Sequence, residues 1–256
     1  MGLNHSPRIV TDGLILALDA GNAKSYIGSG TNFTDLSLSL ANGTLINGPT
    51  FSNNTISFDG TNDYFETTNR VTALEFQPTQ AFTIVVWFKT NTTSLTSTAL
   101  LSNLNSNSPY PGWDILFGGN DLVTMHFISS WTANAIKVGV VYPYTNLLNW
   151  TMLGVSYNGS CPTNVTDGIN SINFYINGSL YTTTKGMLDS TDGFNSTNET
   201  ITYDSNQRFR LASRWASGSA SVASSVTISS VNIYNRMLSA PEIQQNFNAV
   251  RGKFGI

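Results

Sequence analysis

The sequence is poor in cysteine, histidine and charge. Its 256 residues include one cysteine, Cys161, two histidines, His5 and His126, and only 11% charged residues, against roughly 25% in an ordinary soluble domain. A single cysteine cannot form an internal disulfide, which favours folding in a reducing cytoplasm. Because neither histidine neighbours a cysteine or the other histidine, no short zinc or thiol motif is present.

Basic clusters and long apolar runs are missing as well. The formal net charge is −3, and the 12 lysines and arginines are scattered. A surface that follows a phosphate backbone needs clustered positive charge, so nucleic acid is excluded as a partner. Since no apolar run approaches about 20 residues, no membrane insertion is expected. Residues 1–8 lack the layout of a signal peptide, and we expect no secretion.

Short strand patterns separated by turn residues fill most of the chain. Residues 82–89 give the strongest strand pattern, and Asn177-Gly178 predicts a type I′ hairpin between residues 172–176 and 180–183. Residues 103–112 are predicted to form a loop. Further strands are predicted at residues 13–20, 55–58, 64–67, 113–117, 122–128, 150–157, 208–212 and 226–234. Strands of this length and spacing predict an all-β protein, a two-sheet antiparallel sandwich or jelly roll.

One amphipathic helix is predicted over residues 239–251. Ser239 and Glu242 have the spacing of a capping box, which marks the start of the helix. Ile243 and Phe247 fall on one face. We therefore expect the helix to cover a sheet rather than to form a site.

Six stretches resemble laminin-G-like, concanavalin A-like lectin domains, in the order in which that family has them. They are residues 13–22 (GLILALDAGN), 58–65 (FDGTNDYF), 82–89 (FTIVVWFK), 149–159 (NWTMLGVSYNG), 174–178 (FYING) and 231–243 (VNIYNRMLSAPEI). The resemblance implies a jelly roll that binds glycans or proteins through its loops and one sheet face. It also implies one domain over residues 13–256. Because only about a dozen residues precede the first predicted strand, we expect residues 1–12 to form an N-terminal arm, of which residues 1–10 are free to insert into a neighbouring subunit.

The two ends of the sequence resemble structural proteins of tailed phages, especially marine ones. Residues 5–13 (HSPRIVTDG) and 246–256 (NFNAVRGKFGI) carry this resemblance. It implies a virion surface protein assembled in the host cytoplasm, either a capsid decoration or a tail-associated module. Other virion proteins, further copies in an oligomer and a host-surface polysaccharide are the partners that it implies.

Catalytic carboxylate spacing is missing. Glucanases of the family that the sequence resembles present Glu-x-Asp-x-x-Glu along one strand. The glutamates here, Glu66, Glu75, Glu199 and Glu242, do not have that spacing. We therefore expect a non-enzymatic protein. Two alternatives stay open: a glycan-cleaving enzyme whose carboxylates meet only on folding, and a carbohydrate-binding module of a cellular protein.

Aromatic residues in or beside predicted loops are the candidate glycan-binding residues. They are Trp131, Trp215, Tyr110, Tyr142 and Tyr144. Sugar rings stack their C–H faces on aromatic planes, although the same side chains also suit the buried rims of a sandwich. Burial is favoured for Trp113, and a core position is expected for Trp87 and Trp150. His126, in an apolar strand, is expected to be a structural histidine with satisfied hydrogen bonds.

Asp59 and Asp63 flank a tight turn and form the candidate metal site. Calcium takes several oxygen ligands from carboxylates and loop carbonyls. The alternative is that Asp59 caps the turn by accepting backbone N–H groups. Two polar segments, residues 161–170 and 189–203, are interpreted as an insertion and a long loop that contact a partner.

Overall fold

Strands are the main secondary structure of the chain, whose computed structural model describes residues 7–132, 134–182, 186–187, 193–216 and 219–256. In chain order the strands are β1 (Leu14–Asp19), β2 (Asn32–Phe33), β3 (Gly43–Ile46), β4 (Thr50–Ser52), β5 (Thr55–Asp59), β6 (Tyr64–Thr67), β7 (Phe82–Thr90), β8 (Thr98–Leu104), β9 (Gly112–Phe117), β10 (Leu122–Ser130), β11 (Asn134–Val141), β12 (Thr151–Tyr157), β13 (Ile172–Ile176), β14 (Ser179–Tyr181), β15 (Gly186–Met187), β16 (Arg210–Leu211), β17 (Arg214–Ala216), β18 (Ser219–Ser221) and β19 (Ser225–Tyr234). The helices are α1 (Tyr144–Leu147), α2 (Val165–Ser171) and α3 (Ala240–Val250), and 3₁₀ turns lie at Thr72–Leu74 and Arg251–Phe254. Each helix in the described part of the chain is too short or too polar to cross a membrane.

Two antiparallel sheets stack into a sandwich, which confirms the predicted fold class. The eight-stranded sheet has the order β14-β13-β12-β7-β19-β5-β4, and β1 also pairs with β19. The nine-stranded sheet has the order β15-β11-β10-β9-β8-β16-β6-β3-β2. Strands β17 and β18 form a separate hairpin. The neighbours come from distant parts of the chain, as a jelly roll requires.

Strand β7 lies near the middle of the eight-stranded sheet and is buried on both faces. Phe82, Ile84, Val86 and Phe88 belong to the core between the sheets, whereas Trp87 belongs to a second apolar cluster on the opposite face. Because both faces are covered, β7 is an almost continuous apolar run, which is why its sequence pattern was the strongest. Each large apolar side chain buried here contributes about 1.5–3 kcal/mol of hydrophobic stabilisation.

Helix α3 covers the outer face of the eight-stranded sheet, as predicted. Ser239 and Glu242 form the expected capping box at its first turn. Ile243 is fully buried, and the ring of Phe247 stacks on Trp87 with a centroid distance of 5.6 Å and an interplanar angle of 7°. The helix therefore closes the second apolar cluster.

The predicted N-terminal arm is described from residue 7 onward, and residues 1–6 lie outside the described part of the chain. The Val10 amide donates to Asn246 Oδ1 at 2.8 Å, and the Tyr234 hydroxyl donates to the Val10 carbonyl at 3.0 Å. Val10 is buried in the second apolar cluster. This stretch of the arm thus packs against its own domain.

Some local predictions were wrong. Strand β8 continues through Asn103 into the predicted loop 103–112, where Asn103 pairs with Trp113 of β9 and its buried side-chain amide donates to the Leu74 carbonyl at 2.9 Å. Trp150, directly before β12, is only half-buried and stacks on Phe254 at 4.2 Å rather than lying in the core. Most of helix α2 lies within residues 161–170, whose interpretation as an insertion that contacts a partner stays a prediction. Residue 183 of the predicted hairpin and residues 189–192 of the predicted loop lie outside the described residues.

Candidate ligand-binding face

A row of polar side chains crosses the nine-stranded sheet on the face turned away from the core. In the strand register Lys137 lies opposite His126, His126 opposite Asp114, Asp114 opposite Ser102, and Ser102 opposite Arg210. Each of the five has at least one sequence neighbour on its strand that belongs to the core, so alternation places these five side chains on the outer face. All five are buried. We call them the polar row.

Asp114 is the centre of this row and is fully buried. Its Oδ1 lies 2.9 Å from His126 Nδ1, and its Oδ2 accepts a hydrogen bond from Arg214 Nε of the β17–β18 hairpin. Burial alone would raise the pKa of Asp114, but the charge of Arg214 and the contact with His126 outweigh burial and hold it below its ordinary value. The carboxylate therefore stays ionised and anchors the hairpin over the sheet.

His126 differs from the structural histidine expected from the sequence. A proton on Nδ1 is the arrangement that gives Asp114 a donor, although Arg214 Nη2 also lies 3.2 Å from Nδ1. Nε2 is buried and has no hydrogen-bond partner among the described residues. One ring nitrogen is thus satisfied, and the other is an unpaired polar atom below the molecular surface.

Trp131 forms a partial roof over this end of the row. Its ring lies 4.7 Å from Lys137 Nζ and 5.3 Å from the His126 ring, which meets it edge-on. The Tyr110 ring lies 5.9 Å away, also edge-on. Trp131 keeps 37% of its surface exposed. We call Tyr110, Trp131, Lys137 and His126 the Trp131 rim.

Arg210 fixes the other end of the row. Its Nε donates to Glu66 Oε2 at 2.6 Å, and its Nη1 donates to the Arg214 carbonyl at 2.8 Å. Its guanidinium lies over the Tyr64 ring at 4.2 Å. Glu66 is opposite Arg210 in the register, so the charged series continues one strand further.

The five aromatic candidates fall into two groups. Tyr110 and Trp131 meet at the rim, and Trp215 lies on the nearby β17 but is only 6% exposed. Tyr144 is 3% exposed, with its hydroxyl donating to the Leu122 carbonyl at 2.8 Å, and Tyr142 lies edge-on to Tyr181 beside it. Burial leaves the rings of Trp215 and Tyr144 without an accessible plane, so Trp131 is the candidate that the structure best supports. Trp113 is buried, as expected.

Asp59 and Asp63 use their oxygens within the turn. Asp59 Oδ1 accepts the Thr61 amide at 2.7 Å, and Asp63 Oδ2 accepts the Asp59 amide at 3.2 Å. The bond from Thr61 lowers the pKa of Asp59, while burial and the Asp59 charge raise that of Asp63. No group of three or more histidine, cysteine or acidic residues in the described ranges is placed to hold a metal. The geometry favours the capping alternative, and calcium stays a prediction.

Comparisons with known proteins agree with this fold. A family model described as the concanavalin A-like lectin/glucanases superfamily matches residues 59–244. A search of curated protein sequences finds no match.

Solved structures with the same fold share little sequence with the chain. Trypanosoma rangeli sialidase in complex with sialic acid is 14% identical, with a TM-score of 0.62 over 99% of this chain and 37% of the sialidase. The binding domain of botulinum neurotoxin DC in complex with rat synaptotagmin II is 14% identical, with a TM-score of 0.61 over 94% of this chain and 52% of that one. A structure of botulinum neurotoxin type C, whose cell entry is dependent upon interaction with two ganglioside molecules, is 15% identical, with the same TM-score and coverage. The chain thus spans 37–52% of these structures, and the likeness concerns the fold. Because the family model matches residues 59–244, more than half of the sequence, the chain belongs to the concanavalin A-like lectin/glucanases superfamily.

Proposed function

We propose that this domain is a non-enzymatic module that binds a glycan at the Trp131 rim. The observation that carries the proposal is the position of Trp131, a partly exposed indole held over a buried polar row. A sugar ring can stack on the open part of the indole. Two proteins of the same fold, the sialidase in complex with sialic acid and the neurotoxin that interacts with gangliosides, have glycan ligands, which supports the proposal.

The surroundings of Trp131 supply neutral hydrogen-bonding groups. Its amide donates to the Pro109 carbonyl at 3.1 Å, which joins it to a loop that exposes Asn107 and Ser108. An amide and a hydroxyl beside an aromatic plane match the hydroxyl-rich rim of a sugar. Because Lys137 and His126 support the indole from below, less conformational freedom is lost when a ligand binds.

The carboxylates of this face support a binding role rather than hydrolysis. Asp114 and Glu66 are separated by three strand spacings of about 4.8 Å, or roughly 14 Å. Glycosidases use carboxyl groups about 5–5.5 Å apart when retaining and about 6.5–9.5 Å apart when inverting. Each carboxylate here is also engaged by an arginine, Asp114 by Arg214 and Glu66 by Arg210.

A binding assay with one truncated indole tests the proposal. The purified domain is titrated against host-surface polysaccharide, with Trp131→Ala as the test variant and Leu38→Ala, a truncation of a 99% exposed side chain, as the matched control. We expect Trp131→Ala to weaken binding at least about tenfold, as expected for the central aromatic of a site. Unchanged binding by Trp131→Ala would contradict the site, and new reducing ends after incubation would contradict the non-enzymatic role.

We further propose that the domain acts on the surface of a phage particle assembled in the host cytoplasm, in repeated copies that contact other virion proteins. The support is the resemblance of residues 5–13 and 246–256 to tailed-phage structural proteins. Mass spectrometry and cryo-electron microscopy of purified particles test this location, and would also separate a capsid decoration from a tail-associated module. Absence of the chain from purified particles would remove the virion role and leave glycan binding to be judged separately.

A further inference from the structure

A groove of about 440 Å³ opens on the outer face of the eight-stranded sheet, the other layer of the sandwich from the Trp131 rim. Its floor follows the strand register, with Ser57 opposite Thr227 and Thr227 opposite Lys89. Trp150 and Phe254 also line it, stacked on each other at 4.2 Å. Its volume lies within the range of small-molecule sites. We call it the Lys89 groove.

The charge of the groove is positive. Lys89 and Lys253 both line it, and the described residues that line it include no aspartate or glutamate. Lys253 donates to Ser229 Oγ at 2.7 Å and lies 3.8 Å from Asp19. Lys89 has no ion-pair partner among the described residues, and its Nζ lies 5.9 Å from the centre of the Trp150 ring. An ammonium group is thus left to pair with an anion from solution.

The remaining lining is rich in hydroxyl groups. Thr227 Oγ1 lies 2.8 Å from Asn91 Oδ1 and 3.0 Å from Ser57 Oγ, so the two hydroxyls are held in fixed positions. Each hydroxyl oxygen has two lone pairs and one proton, which leaves capacity for a further hydrogen bond. Fixed hydroxyls and one cation without an ion-pair partner, beside an aromatic side wall, together match a sugar that carries an acidic group.

We propose that the Lys89 groove binds a saccharide bearing a carboxylate. The carboxylate pairs with the Lys89 ammonium group, and the ring hydroxyls bond to Ser57 and Thr227. The site is separate from the Trp131 rim and does not depend on it. Burial lowers the pKa of Lys253, an effect that a nearby anion would oppose.

Three small probes separate the features of the ligand. Glucuronate, glucose and acetate are titrated into the full domain at about 10 mM salt, where the Debye length is about 30 Å, and amide chemical shifts around Lys89 are followed by NMR. We expect glucuronate to bind at least about tenfold more tightly than either of the others, and to weaken when salt rises to about 0.15 M. Equal binding of glucose would overturn the role of the charge. Equal binding of acetate would overturn the saccharide.

Substitution of the unpaired cation provides the second arm. Lys89→Gln removes the charge and leaves a polar side chain that is one atom shorter, and Lys24→Gln makes the same change at an exposed lysine outside the groove. We expect Lys89→Gln to reduce glucuronate affinity about tenfold and Lys24→Gln to leave it within about twofold. Trp131→Ala should leave it unchanged, so failure of the Trp131 rim and failure of the groove give different results. Equal affinity in Lys89→Gln and the wild type would refute the groove.

Discussion

Asp114 carries a buried negative charge that both His126 and Arg214 contact, and the Asp114→Asn variant removes that charge. Asp114 is fully buried, and its partners His126 and Arg214 are 2% and 13% exposed in their side chains. Breaking a buried ion pair by removing one partner costs about 3–5 kcal/mol, since the other charge stays buried and unpaired. Because Arg214 keeps some contact with water, we expect the lower value, about 3 kcal/mol. In a chain of this size that corresponds to a fall in Tm of about 6–12 °C.

Thermal and urea unfolding, followed by circular dichroism, measure this loss. The double variant Asp114→Asn with Arg214→Met removes both charges and should be more stable than Asp114→Asn alone. The folded-state pKa of Asp114 lies below its ordinary value of 3.8. Its stabilisation is therefore complete well above pH 3.8 and is lost as the pH falls through the folded-state pKa. A loss below about 1 kcal/mol at pH 7, or a gap between wild type and variant that widens on acidification, would refute the reasoning.

Two other substitutions test the helix cap and a tight strand start. Hydrogen bonds from Arg236 and the Ser239 amide lower the pKa of Glu242 from 4.5 to about 2. Glu242→Gln should therefore lower the free energy of unfolding by about 1–2 kcal/mol near pH 6, and this cost should disappear as wild-type Glu242 is protonated between about pH 4.5 and pH 2. A difference in urea midpoint that does not change with pH would contradict this. Gly112 has φ +125°, and a Cβ there would lie 2.1 Å from the Asn103 carbonyl oxygen. Gly112→Ala should therefore lose about 3 kcal/mol or more, whereas Gly119→Ala, with open space around the new carbon, should change stability by less than about 0.5 kcal/mol in the same assay.

Local patterns were enough to predict the most regular strands and one turn. Residues 82–89 match β7 to within one residue, because a strand covered on both faces is apolar throughout. Asn177 and Gly178 have φ values of 50° and 83°, the left-handed pair that a type I′ turn requires. The capping box of α3 is equally local. These features depend on residues that are close in the sequence.

Strand β11 was missed although its sequence carries a signal. Ile136, Val138 and Val140 alternate with Lys137 and Gly139, a period of two that predicts a half-buried strand. The second half of strand β8 was missed because Ser102 and Asn103 are polar and resemble loop residues. Asn103 is buried in the structure because its side chain donates a hydrogen bond to the Leu74 carbonyl, which is distant in the sequence.

The polar row could not be predicted from the sequence. Ser102, Asp114 and Arg210 become neighbours only through the pairing of β8 with β9 and of β8 with β16. Register between distant strands has no local sequence pattern, and a shift of one residue would turn the whole row into the core. Trp131 was predicted as a candidate, but the groups that support it were not.

Strand β19 determines when this domain can mature during synthesis. It pairs with β7, β5 and β1, whose residues precede it by more than 130, 160 and 210 positions respectively. A nascent chain that has left the ribosome only as far as residue 220 holds two apolar half-sheets with an open gap where β19 belongs. Such gaps expose unpaired strand edges, and contacts between distant residues form slowly. We therefore expect the sandwich to close only once β19 is available for pairing, rather than stepwise from the N-terminal end.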